Sequence, residues 1–149
     1  TLLANGNSIT LNDVLGAEMI TDGDMAAALN WDVTDASWSI AAGVATYDDI
    51  NDGHSIDQAD GDMVSSIEIS SVYRVSLKTD ASGGTARLSI SNNAESVEYF
   101  AADDYDDDTH VRYFETPANI LGAGIAIKAY TAGDGFDLDD VSLKKVTFT

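Results

Sequence analysis

The sequence predicts an all-β protein, an antiparallel β-sandwich of the jelly-roll kind, and three observations carry that expectation. Polar and apolar residues alternate with a period of two in several short runs, the mark of strands buried on one face. Turns rich in Gly, Asn, Asp and Ser separate these runs at regular spacing. The last run, Phe136-Asp137-Leu138-Asp139-Asp140-Val141-Ser142-Leu143, changes phase: Phe136 and Leu138 share one face, whereas Val141 and Leu143 fall on the other. A strand buried on one side accepts such a slip only with an extra residue, a β-bulge, which the pattern places at Asp139-Asp140.

Taken in order, residues 1–16 read as an N-terminal arm and 17–149 as one sandwich domain. The arm carries Asn5-Gly6-Asn7 and the apolar pair Ile9/Leu11. Met25-Ala26-Ala27-Ala28-Leu29 suits one helical turn, too short to alter the class. Trp31-Asp32-Val33, Trp38-Ser39-Ile40 and Val44-Ala45-Thr46-Tyr47 read as short strands, with Ala41-Ala42-Gly43 as a hairpin turn. Asp48 to Asp62 is polar and turn-rich, expected as a surface excursion. Val72 to Lys78 alternates cleanly, with Tyr73, Val75 and Leu77 inward. After Ala81-Ser82-Gly83-Gly84, a strand places Ala86, Leu88 and Ile90 on one face. Ser91-Asn92-Asn93 turns into Ser96–Phe100, a polar loop is expected at Asp103–Asp108, and Thr109–Glu115 is again a strand. Gly122-Ala123-Gly124 leads into Ile125–Tyr130, and residues 131–135 turn into the closing strand.

Composition bounds the function. The chain has 149 residues, 44% of them hydrophobic, with twelve glycines, one proline (Pro117) and no cysteine. It is long enough to bury a core as one domain, and thiol catalysis and disulfides are excluded. No apolar run approaches the roughly 20 residues that cross a bilayer. The first residues lack the basic-then-apolar order of a signal peptide, and Thr1 suits a small residue left after trimming of an initiator Met. The formal net charge is −19, with 13 acidic and no basic residues up to Tyr73, and 13 acidic against seven basic residues beyond it. Such a field repels phosphate, so nucleic acid is excluded as a partner, and anionic membranes and polyanionic sugars are disfavoured.

Catalytic signatures are missing. His54 and His110 stand far apart in polar contexts, outside any metal-ligand or triad spacing. Neither Asp-rich stretch follows the calcium-loop pattern, since Ile50 and Gln58 occupy positions that need Asp or Asn. A non-enzymatic binding or assembly module is therefore expected.

The order of several segments is informative: Glu18–Met25 followed by Asn30-Trp31-Asp32-Val33, then Ser37–Tyr47, Gln58, Tyr73–Leu77 and the ending Phe136–Leu143. Over roughly residues 17–146 it resembles the jelly-roll carbohydrate-binding modules of the family 4/9 type, a pattern also found in bacteriophage virion proteins. The resemblance implies a structural calcium that ties the N-terminal segment to the last strand. The matching positions are Asp22, Asp24, Asp139 and Asp140; Ala26 stands where the family often has an acidic residue.

Two functions follow from it. The first is a virion structural module, a capsid decoration or tail accessory protein, with other virion proteins and further copies of itself as partners and the virion as its location. The free-standing module, the missing signal sequence and the leading arm favour it. The alternative is a glycan-binding module of a secreted, extracellular polysaccharide-degrading enzyme. A sugar face needs exposed rings that stack on pyranoses; Trp31, Tyr99, Tyr105, Tyr113 and Tyr130 are the candidates, whereas Trp38 and Tyr73 are expected in the core.

Overall fold

The computed structural model describes residues 2–4, 7–9, 13–33, 36–48, 53–120, 122–130 and 135–148. Every paired strand in it is antiparallel. At the N-terminus, β1 (Leu2–Ala4) and β2 (Asn7–Ile9) form a hairpin of their own. β3 (Asp13–Glu18) follows, then β4 (Asp32–Val33), β5 (Trp38–Ala41), β6 (Val44–Tyr47) and β7 (His54–Gln58). The second half supplies β8 (Val72–Asp80), β9 (Ala86–Asn92), β10 (Glu98–Tyr105), β11 (Asp108–Glu115), β12 (Ile125–Tyr130) and β13 (Phe136–Phe148).

These strands build the expected sandwich. One sheet has five strands in the order β10-β9-β12-β7-β4; the other has six, β11-β8-β13-β6-β5 with β3 added along β13. The core lies between them and draws on both inner faces: Tyr73, Val75 and Leu77 of β8 meet Leu88 and Ile90 of β9 and Ile125 and Ile127 of β12. Trp38, Tyr47 and Phe136 pack edge-on or tilted at one end, with centroids 5.2–5.6 Å apart. Trp38 and Tyr73 are buried, as the alternation requires.

The phase slip in β13 is a bulge. Asp139 faces Lys78 and Ser142 faces Ser76, so Asp140 and Val141 together oppose Leu77 alone. Asp140 takes φ 51° to absorb the extra residue, and Phe136, Leu138, Val141 and Leu143 all reach the core.

Four expectations change. Met25 forms no helical turn; it is fully buried at φ 51°. The polar loop at Asp103–Asp108 is mostly strand, with Asp106-Asp107 as the connection between β10 and β11. Its acids have partners there: Asp104 and Asp103 meet Arg87 and Arg112, and Asp107 accepts the Ala81 and Gly83 amides. The excursion at Asp48–Asp62 contains β7, whose Ile56 is in the core and whose Gln58 is buried. The boundary expected between residues 16 and 17 falls inside β3, which pairs with the end of β13. The turn expected over residues 131–134 lies outside the described residues.

The β5–β6 hairpin closes through two residues, Ala42 (φ 56°) and Gly43 (φ 88°), with Ala41 opposite Val44. Two left-handed residues make a type I′ turn, for which Asn-Gly is preferred and Ala is strained. Ala42→Asn should therefore raise stability by about 0.5–1 kcal/mol, read as a higher urea midpoint with an unchanged slope.

Candidate functional site

Two places concentrate polar chemistry: the junction of the N-terminal segment with the β13 bulge, and the outward face of the five-stranded sheet.

At the junction, Val141 N–H donates to the Gly23 carbonyl (2.8 Å) and Met19 N–H to that of Leu143 (2.9 Å). A Cβ at Gly23 would lie 2.0 Å from the Val141 oxygen, so the approach needs glycine. Glu18 caps the contact: its carboxylate accepts from the amides of Met19, Ile20 and Leu143 and from the Ser142 hydroxyl. Beside it opens a cleft of about 360 Å³ lined by Glu18, Gly23, Asp24, Asp140 and Ser142 among others.

Of the four expected metal ligands, Asp24 and Asp140 reach this cleft. Asp22 instead accepts a hydrogen bond from the Asn30 amide, and Asp139 turns to a groove shared with Lys78, Asp80 and Asp137. Among the described residues no three acidic or imidazole side chains converge as a metal site. Calcium takes six to eight oxygens, and Glu18 already accepts four hydrogen bonds, so these side chains do not fit a calcium cage.

The outward face of the five-stranded sheet follows from alternation. With Leu88, Ile90, Ile56, Ile125 and Ile127 in the core, the residues between them point away from it. Three cross-strand rows result: Arg87 beside Tyr130; Ser89, Lys128 and Ser55; and Ser91, Ala126, Asp57 and Asp32. Both cations are paired, Lys128 with Glu95 (2.7 Å) and Arg87 with Asp104 (2.8 Å). Lys128 holds Glu95's carboxyl below its ordinary range, and the Ser55 hydroxyl adds to the effect. Burial pushes the Asp57 carboxyl up to about 6, with Asp32, Glu95 and Asp62 adding repulsion. The face carries buried hydroxyls, carboxylates and a bridged ammonium group, the polar groups that a polyol would meet. Sequence reading missed Asp32, Asp57, Glu95 and Lys128 as a group; the readable signal was the outward phase of Lys128 and Tyr130 in β12.

The expected sugar-stacking rings do not gather. Trp31 is 4% exposed and Tyr105 2% exposed; the Trp31 indole N–H donates to the Asp22 carbonyl (3.1 Å). Both belong to the core cluster. Tyr99 stacks on Phe114 with centroids 4.3 Å apart. Its hydroxyl has no hydrogen-bond partner among the described residues, and burial pushes its pKa up to about 12. Tyr113, 49% exposed, stands opposite Arg74 on the six-stranded sheet. Tyr130 alone of the five lies on the outward face of the five-stranded sheet, its hydroxyl 3.3 Å from that of Ser89.

No family model matches the sequence, and neither does any curated protein. Solved structures share the fold. A family 4 carbohydrate-binding module aligns with TM-score 0.51 at 17% identity, over 77% of each chain. The C-terminal family 6 carbohydrate-binding module of a laminarinase from Zobellia galactanivorans aligns with TM-score 0.54 at 12% identity, over 90% of this chain and all of that one. The enzymatically active domain of tailspike protein 4 from bacteriophage CBA120 aligns with TM-score 0.50 at 12% identity, over 83% of this chain and 20% of that one. At these identities the likeness establishes the fold: a β-sandwich of the carbohydrate-binding-module jelly-roll type.

Asp57 makes stability depend on pH. Because its folded pKa lies above the ordinary 3.8, the native state keeps a proton between about pH 4 and 6 that the unfolded chain has released. That contribution is complete below pH 4 and lost as pH rises through about 6. Asp57→Asn should thus be more stable than the parent at pH 7.5, by about 1 kcal/mol after allowance for solvent screening. The gap should close at pH 4, as measured by thermal midpoints across the range.

Proposed function

We propose that this chain is a non-catalytic glycan-binding module that holds a single neutral polysaccharide chain on the outward face of its five-stranded sheet. The observation that carries this is the face itself, where Ser55, Asp57, Ser89, Lys128 and Tyr130 point away from the core in three cross-strand rows. Polysaccharide hydroxyls each donate and accept, and such a mixture of hydroxyls, carboxylates and an ammonium group answers both. The carbohydrate-binding modules of the same fold support the reading.

The chemistry narrows the ligand. A net charge of −19 and the Asp32/Asp57 pair disfavour uronic-acid and sulfated chains. A crystalline sugar surface calls for a flat row of rings, whereas Tyr130 stands as one ring beside charged neighbours. A soluble chain bound mainly through hydrogen bonds suits the face better. Such a module would act outside the cell, beside polysaccharide.

In titration calorimetry against soluble neutral glucans, xylans and mannans, at least one should bind. Tyr130→Ala should weaken that binding about tenfold, the loss of one ring contact and its hydroxyl, while Tyr113→Ala, on the other sheet, leaves it unchanged. Failure of every neutral chain to bind would sink the reading.

A second reading, a virion module with other virion proteins or further copies as partners, draws on one feature. β3 is exposed along almost its whole length, and Val14, Leu15 and Phe148 are exposed at its pairing with β13. Mass spectrometry of purified virions from the source should then find the chain at high copy, and its absence would dispose of this alternative.

A further inference from the structure

The small side chains on the outward face of the five-stranded sheet are closed off. Ser89 is 2% exposed, Ser55 4% and Ala126 0%, although all three point away from the core by alternation. Ser55 and Ser89 flank Lys128, one on each neighbouring strand. Over the Lys128–Ser55 side of that row lies Glu95, which belongs to none of the three strands. Its carboxylate accepts hydrogen bonds from the Ser55 hydroxyl (2.8 Å) and from the Lys128 ammonium (2.7 Å).

The turn that delivers Glu95 is rigid. Asn92 is fully buried; its side-chain oxygen accepts the amides of Ser96 (2.9 Å) and Val97 (2.8 Å), and its amide reaches the Ser96 hydroxyl (3.1 Å). Glu95 N–H closes the turn on the Asn92 carbonyl (2.8 Å). Glu95 itself holds φ 50°, in the left-handed region. The backbone is thus a fixed bracket, and the half-exposed Glu95 side chain is the part free to swing away. Pairs as exposed as this one are weak and salt-sensitive.

We propose that the Glu95–Lys128 bridge is a built-in cover of the ligand face, which a glycan must displace to reach Ser55 and the Lys128 ammonium. The ligand half of this statement rests on the outward face being the glycan surface; the cover itself does not. In the closed state the Glu95 oxygens occupy the positions from which sugar hydroxyls would meet Lys128 and Ser55. Releasing them costs the bridge, so the cover lowers affinity for neutral chains and makes it rise with salt.

Two measurements test this. By titration calorimetry, Glu95→Gln should bind the best neutral glycan about fivefold more tightly than the parent, the size of a weak exposed bridge. Raising salt should tighten the parent towards the variant and leave the variant unchanged; equal or weaker binding by Glu95→Gln would overturn the proposal. The second measurement needs no ligand. The chain has no cysteine, so Ser55→Cys introduces a unique thiol beneath the cover, at the position that meets the Glu95 carboxylate. Its modification by a neutral maleimide should run several-fold faster when Glu95→Gln is added, and in the Glu95 background it should accelerate with salt. An unchanged rate would overturn the cover whatever the glycans do. If no glycan binds either protein, the ligand reading falls, and the labelling rates still decide whether Glu95 covers the face.

Discussion

β13 runs thirteen residues through the interior of the six-stranded sheet, and one extra residue at Asp139-Asp140 lets both halves of it face the core. Without that residue, either Phe136 and Leu138 or Val141 and Leu143 would be turned to water. The bulge is held by the Gly23 carbonyl on Val141 and, from the end of β3, by Glu18 on Ser142 and Leu143. The first and last parts of the sandwich are therefore fastened at the point where the last strand would otherwise lose its phase. β8, β6 and β3 all take their register from β13, so the order of the whole sheet depends on this one irregularity.

The other sheet solves a different problem. Its inner face is aliphatic, Leu88, Ile90, Ile56, Ile125 and Ile127, and its outer face is small and polar at the centre. Small residues there let longer side chains lie flat over the strands, which is how Lys128 comes to be held between Ser55, Ser89 and Glu95. Both cations of the face are neutralised by acids from neighbouring segments. Asp57 and Asp32 are left side by side in register, so repulsion between them falls where burial also raises a carboxyl.

Much of the fold was legible because alternation reports burial directly. β8 and the first part of β9 follow it strictly, and the misphased end of β13 could be read as a bulge because both of its halves alternate. β7 was hidden: His54-Ser55-Ile56-Asp57-Gln58 has a single aliphatic residue, and Gln58 is buried because its side chain exchanges hydrogen bonds with the Thr21 backbone. The Asp103–Asp108 run was misread for a related reason. Its acids face arginines and backbone amides on other segments, Arg87, Arg112, Ala81 and Gly83, which the run itself does not announce. The site was less legible still. Glu18, Glu95, Asp57 and Lys128 come from four separate segments, and only the pairing of β7, β9 and β12 brings the last three together. Trp31 and Tyr105 resembled ligand rings because each stands next to acidic residues in the sequence, a context that is the same whether the ring points in or out.

The pairing of β3 with the tail of β13 has a consequence for architecture. Asp13 stands opposite Phe148, so the chain enters and leaves the sandwich on adjacent strands, about 5 Å apart. A sandwich with neighbouring doors can be spliced into a surface loop of a larger polypeptide without prising the host's two loop ends apart, as well as strung in line with other domains. Its two sheets would then sit outboard of the host like a bracketed lamp, with the polar face of the five-stranded sheet turned outward on the side away from the doorway strands.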